Sequence, residues 1–226
     1  MNSERVDSAF NPKVMSICGL DIQSSFDFGI ANCGVGGRIW KSAIAFCSFI
    51  TKYNINFSNK TIIELGAGTG LCGMAIAQYN PGKVLITDYD PGCIETIKQN
   101  VILNKDKIKV NAIDTDILNF GNEEQLNEIK QKYPEGFDYI IGTDLIYAEK
   151  VIEFLITGVD KLSYKKGCQI ILVLNNIFTE VEIFIKNLLK TGKFCVREVN
   201  AEEMDEMFYK ITIFFIQVKK EFIKDN

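Results

Sequence analysis

The chain predicts an α/β fold: a Rossmann-like, doubly wound seven-stranded sheet, six strands parallel and one antiparallel, with a short N-terminal hairpin and helix extension. Three observations predict it. Seven short runs rich in aliphatic and aromatic residues recur along the 226 residues. Helical periodicities separate most of them. A turn with glycine at alternate positions, Gly66, Gly68 and Gly70, directly follows one run.

Taken in order, residues 14–16 and 20–22 flank Cys18 and Gly19 as a small hairpin. A glycine-rich turn at 34–37 then leads into an amphipathic helix in which Ile39, Trp40, Ala43, Ile44, Cys47 and Ile50 recur at helical spacing. Trp40, the one tryptophan of the chain, either anchors that helix in the core or lies across a ligand mouth. The strand runs are 61–65, 83–87, 108–112, 137–143, 168–174, 194–199 and 211–218. Between them, apolar helix faces form from Ile94, Ile97 and Val101, from Val151, Leu155, Val159 and Leu162, and from Val181, Phe184, Ile185 and Leu188. Strand and helix therefore alternate, which implies parallel strands covered on both faces. Residues 200–210 are too few for a parallel crossover with a helix, so the last two strands form an antiparallel pair. One domain of 1–226 is expected, with 1–55 an extension covering a ligand site and 56–220 the core.

Composition narrows the chemistry. With 25 basic and 29 acidic side chains the net charge is −4, and no basic run exceeds two residues, so nucleic acid is not an expected partner. No stretch approaches the ~20 apolar residues that span a bilayer, and no membrane association is expected. Seven cysteines without a C-x-x-C pair read as reduced, mostly buried thiols, with no metal site and no disulfide framework. A cytosolic or nuclear location follows. The chain has no histidine, which removes triad chemistry, imidazole metal ligation and the commonest general base. An activated cofactor held in good geometry suits such a chain.

The segment IELGAGTG carries most information. Its glycines let the chain turn sharply after a strand, press against a ligand and enter a helix. A dinucleotide fingerprint would place its third glycine where this chain has Leu71. Glu64, two places before Gly66, suits the amino group of a methionine moiety and would repel a pyrophosphate. Asp88, ending the next strand, lies 20 positions after Gly68, where an acid accepts both hydroxyls of a ribose. Together these point to S-adenosylmethionine.

The segments IWKSA, IELGAGTGLCGM, ITDYDP followed by Asn100 and Asn104, and FDYIIGTDLIY occur in the order and spacing of one family. On these residues the chain resembles the lysine-methyltransferase-like members of the seven-β-strand S-adenosylmethionine-dependent methyltransferases over about residues 10–218. That group includes enzymes acting on calmodulin, cytosolic chaperones, a AAA ATPase and elongation factors. The resemblance implies cofactor contacts from Trp40, Gly66, Ala67, Gly68, Asp88 and Thr143, with Tyr89 beside Asp88 in the same set. Two arrangements stay open for the adenine: Phe120-Gly121 stands in for the family's aromatic-glycine pair, or Asp116 bonds the adenine amino group while Ile117 packs on the ring. The family tends to carry an arginine after the fifth core strand, where this chain has Asn175 and Asn176. The implied product is S-adenosylhomocysteine, and the implied partner is a protein substrate such as a chaperone, an ATPase or a translation factor. A monomer is expected.

Asp144 and Tyr147 are the catalytic candidates. By residue type alone, Asp144 caps the coming helix and Tyr147 fills a gap. At the carboxyl edge of the sheet they acquire other roles: Asp144 orients an approaching amine, and Tyr147 offers a hydrogen bond and a π face to a cation. A lysine with reference pKa near ~10.4 must lose its proton before attack, so the site must align the neutral amine. Methylation of a small amine or another protein nitrogen, or a cofactor-binding adaptor, are the alternatives. Glu202, Glu203, Asp205 and Glu206 form either a solvated loop or a rim for a basic segment.

Overall fold

The computed structural model describes residues 13–24 and 33–222. The N-terminal extension holds an antiparallel hairpin, β1 (Lys13–Ile17) and β2 (Leu20–Ser24), then helix α1 (Lys41–Lys52). The core runs β3 (Thr61–Leu65), α2 (Leu71–Ala77), β4 (Lys83–Asp88), α3 (Pro91–Leu103), β5 (Ile113–Ile117), α4 (Glu123–Lys132) and β6 (Tyr139–Thr143). It continues with α5 (Glu149–Leu162), β7 (Gln169–Asn175), α6 (Thr179–Lys190), β8 (Phe194–Asn200) and β9 (Ile211–Val218). The seven-stranded sheet has the order β5-β4-β3-β6-β7-β9-β8, and β9 alone runs antiparallel to its neighbours β7 and β8. This is the predicted arrangement.

The central strands are apolar runs because both faces are buried. In β7, Ile170 through Leu174 are all at or near zero exposure. On one face Phe46, Ile50, Met74, Ile76 and Ile97 of α1, α2 and α3 close a core together with Leu20 and Ile22 of the hairpin. On the other, Leu126, Ile129, Leu155, Val159, Phe184 and Leu188 bring in α4, α5 and α6.

One strand lies elsewhere than expected. Residues 108–112 are turn and 3-10 structure, and the strand is β5, whose sequence IDTDI holds two acids. As the sheet edge it satisfies them locally: Asp114 pairs with Lys83 at 3.2 Å and receives the Tyr133 hydroxyl at 2.8 Å, and Asp116 pairs with Lys132 at 2.9 Å. The cysteine expectation is also corrected for two residues. Cys33 and Cys93, both buried, are joined as a disulfide with Cα atoms 4.7 Å apart.

Asn100 and Asn104, both fully buried on α3, fasten the hairpin to the core. The Asn100 Oδ1 accepts the Gln23 N–H at 2.7 Å, while its Nδ2 donates to the Gln23 and Thr69 carbonyls at 3.2 and 3.0 Å. Asn104 likewise accepts from the Asp21 N–H and donates to its carbonyl. Removing Asn100 leaves these buried backbone groups unpaired. Asn100→Ala is therefore expected to lower stability by about 1–3 kcal/mol, read as a fall in the urea midpoint at unchanged slope.

Candidate active site

The strand order reverses between β3 and β6, and the carboxyl ends of β4, β3 and β6 face one crevice, the position where doubly wound sheets take ligands. The glycine turn leaves β3 here. Gly66, Gly68 and Gly70 have φ of 57°, 56° and 78°, a left-handed backbone that side-chain-bearing residues rarely adopt. Gly68 also faces the turn Gly34–Gly37: a Cβ on it would stand 2.5 Å from the Gly36 carbonyl oxygen. The N-terminal extension thus lies across the glycine turn, and the Cys33–Cys93 bridge ties that cover to α3.

Two acids are buried beneath and beside this turn. Glu64 is 2% exposed and its Oε2 accepts the Gly73 N–H at 2.7 Å, so the carboxyl sits at the start of α2 rather than open to the crevice. The expectation that it reaches the cofactor's amino group directly meets this bond to α2, and Cys72 also contacts it. Burial pushes Glu64 up to about 8, opposed by the Gly73 hydrogen bond. Asp88 is 5% exposed; its Oδ2 accepts the Gly68 N–H at 2.9 Å and its Oδ1 the Asp90 N–H at 3.0 Å. Burial raises Asp88 as well.

Asp144 has φ of 49° and does not cap the following helix, whose N-cap is Ala148. Its Oδ1 instead accepts the Ser42 hydroxyl at 2.7 Å and the Asn175 N–H at 3.2 Å. Burial raises its pKa, and the Ser42 and Asn175 hydrogen bonds oppose the rise. Among the described residues no basic side chain pairs with Glu64, Asp88 or Asp144.

The remaining candidates fall into two groups. Trp40 is 44% exposed at the N-cap of α1 with the Arg38 guanidinium 5.3 Å from its ring, so it is not a core anchor. Tyr89 and Tyr147, both exposed, interact through their side chains across the ends of β4 and β6. Thr143 ends β6 with its hydroxyl 4.0 Å from the Cys72 thiol, and Ala67 donates its N–H to the Thr87 carbonyl. Ile117, 41% exposed, is register partner to Asp88 and stands at the crevice. Asp116 and Phe120 have other partners within the chain. Asp116 is engaged by Lys132 and by the Ile117 N–H. Phe120 packs into the α4 and α5 layer, where a Cβ on Gly158 would meet its Cβ at 2.7 Å. Asp116 and Ile117, of the second adenine arrangement, are register partners of Thr87 and Asp88 at the end of β4.

Sequence reasoning included Ser42 in the IWKSA segment but gave it no role. Its signal was a hydroxyl on the apolar face of an amphipathic helix, where it is fully buried.

A glycine turn after the first core strand, an acid ending the second, and an Asp-x-x-Tyr segment after the fourth stand on a seven-strand fold that solved methyltransferases share. A solved putative methyltransferase complexed with SAH shares the fold, with TM-score 0.66 at 14% identity over 96% of this chain and 58% of that one. So does magnesium protoporphyrin IX methyltransferase from Synechocystis PCC 6803, with bound SAM: TM-score 0.58 at 13% identity over 79% of each chain. More particularly, the family model described as lysine methyltransferase matches residues 23–191, and the chain belongs to that family. EEF1A lysine methyltransferase 3 of Mus musculus is 31% identical over 153 residues, which are 66% of this chain and 60% of that protein. Protein N-lysine methyltransferase METTL21A of Danio rerio is 30% identical over 198 residues, 82% of this chain and 85% of that protein. The match to the mouse relative spans less than two thirds of its length.

Glu64 gives a prediction with a definite sign. Its folded pKa is raised from 4.5 to about 8, so across that window the folded chain keeps a proton that the unfolded chain has released. Stability present below the lower value is lost as pH rises towards the upper one. Glu64→Gln carries no such proton and keeps an acceptor for Gly73. It is expected to flatten the decline of urea-unfolding stability between about pH 4.5 and about pH 8.

Proposed function

We propose that this chain is an S-adenosylmethionine-dependent N-methyltransferase that modifies a lysine side chain of a protein. One observation carries the reading: Glu64, Asp88 and Asp144 stand at the ends of three adjacent strands, all raised by burial and none paired with a cation among the described residues. Uncompensated carboxyl groups are costly to bury as anions. They suit ligands that bring positive charge and hydroxyl donors. A sulfonium, an ammonium, a ribose and an incoming amine fit that demand, whereas a pyrophosphate adds charge of the wrong sign.

When bound, S-adenosylmethionine supplies a methyl group already activated on sulfur. Gly66, Ala67 and Gly68 would form its backbone cradle, Asp88 would receive the ribose hydroxyls, and Trp40, Thr143, Ile117 and Tyr89 would make further contacts. Glu64 holds α2 against the end of β3 through its bond to the Gly73 N–H. Asp144 accepts an N–H of the acceptor amine and so aims its lone pair. Tyr147, 59% exposed, stands at the entry and offers its π face to the cationic product.

A protein acceptor is favoured over a small amine by the exposed apolar residues on this edge. Tyr147, Ile177, Phe178 and Tyr209 all lie open, a surface suited to a protein face. The name of the mouse relative supports a translation factor as the target.

Two variants test the reading. Asp88→Ala is expected to weaken S-adenosylhomocysteine binding about ten- to a hundredfold by calorimetry, through loss of hydrogen bonds to a buried ligand. Asp144→Ala should keep that affinity while labelled-methyl transfer to purified EEF1A or to cell lysate falls about a hundredfold. Equal loss of both activities in Asp144→Ala would recast Asp144 as a cofactor or folding residue.

A further inference from the structure

We infer that Ser42 is a positioning residue for methyl transfer: from the first turn of α1 its hydroxyl holds the Asp144 carboxylate in the orientation that receives the acceptor amine. The inference rests on the proposed transfer at Asp144 and names the device that sets that group.

The geometry begins with Asp144 itself. Its left-handed backbone, tolerated by aspartate better than by most residues, accompanies a side chain directed to α1 and β7 rather than to the start of α5. That helix is left without a side-chain cap. Helix α1 is the complement. Its N-cap, Trp40, makes no side-chain capping bond, and its first turn holds no acid. Asp144, 102 residues away, takes that place, accepting the Ser42 hydroxyl. A carboxylate at a helix N-terminus is favoured by the orphan N–H groups and the helix dipole.

Ser42 has no other use for its hydroxyl. It is fully buried beside Ala43, Ala45 and Phe46, where an unbonded hydroxyl is costly. In the first turn there is no helical carbonyl four residues back for it to bond. With Ser42 and the Asn175 N–H both on Oδ1, the rotation of the carboxylate is fixed. A carboxylate offers about four lone-pair sites, so capacity remains for an amine. What faces Asp144 is Ser42 from α1 and the Asn175 backbone from β7, and no charged side chain contributes to its upward shift. Ser42 also lies two residues from Trp40, so one helix start sets a cofactor-side aromatic and the acceptor-side carboxylate together.

The test uses the full chain, with wild type, Ser42→Ala and Ser42→Thr compared in labelled-methyl transfer and in calorimetric titration with S-adenosylhomocysteine. Ser42→Ala is expected to bind the product with unchanged affinity while kcat falls about ten- to a hundredfold and KM for the cofactor stays the same. Its acid limb should move to higher pH by about one pH unit, because losing a donor to the carboxylate destabilises its charged form and raises its pKa. Ser42→Thr, which keeps the hydroxyl, should restore both. Wild-type kcat and an unmoved pH profile in Ser42→Ala would overturn the inference. Joint loss of product binding and transfer would also overturn it, by making Ser42 a folding residue. Absence of transfer by the wild type would instead overturn the methyltransferase reading on which the inference stands.

Discussion

The burial of two acids at the ends of neighbouring parallel strands is the constraint on which this molecule depends. Glu64 and Asp88 end β3 and β4, and each takes its hydrogen bonds from backbone N–H groups of the segment that follows a strand. Glu64 meets the third residue of α2, and Asp88 meets the glycine turn. These bonds fasten loop to sheet without side-chain cations. They also dictate sequence. A Cβ at Gly73 would stand 2.6 Å from the Glu64 Oε2, so the start of α2 must be bare for the acid to reach it.

Around that arrangement the N-terminal segment forms a second layer of the site. Asn100 and Asn104 hold β2 to α3, Asn100 reaches the Thr69 carbonyl of the glycine turn, and the disulfide seats the turn Gly34–Gly37 over Gly68. Helix α1 then delivers Trp40 and Ser42 to the carboxyl edge. The extension is thus joined to the cradle by buried hydrogen bonds and a covalent link, and the site is built from both.

Much of this was legible in the chain, for identifiable reasons. Parallel strands buried on both faces must be nearly all apolar, so β3, β4, β6 and β7 stood out, and the short link before β9 gave away its reversed direction. The glycine turn and Asp88 were legible because their backbone and charge demands admit few residues. Where burial is partial, the signal failed. β5 is an edge strand whose acids are answered by Lys83, Lys132 and Tyr133, while the more apolar residues just before it took its place in the reading. Helix α4 buries only Leu126 and Ile129, and its polar sequence marked no face. Pairings distant in sequence were silent: Cys33 with Cys93, 60 residues apart, and Ser42 with Asp144. No local pattern encodes them.

The reversed strand β9 has a consequence for how such a molecule can change. Because β8 arrives at the carboxyl edge and β9 departs from it, the connection through residues 201–210 lies at that edge, next to the end of β7. Its Lys210 carbonyl accepts the Asn176 N–H, next to Asn175 at the end of β7, whose N–H donates to Asp144. This hairpin tip can therefore lengthen, change charge or change shape while Asp88 keeps its bond to the Gly68 N–H and Glu64 its bond to the Gly73 N–H.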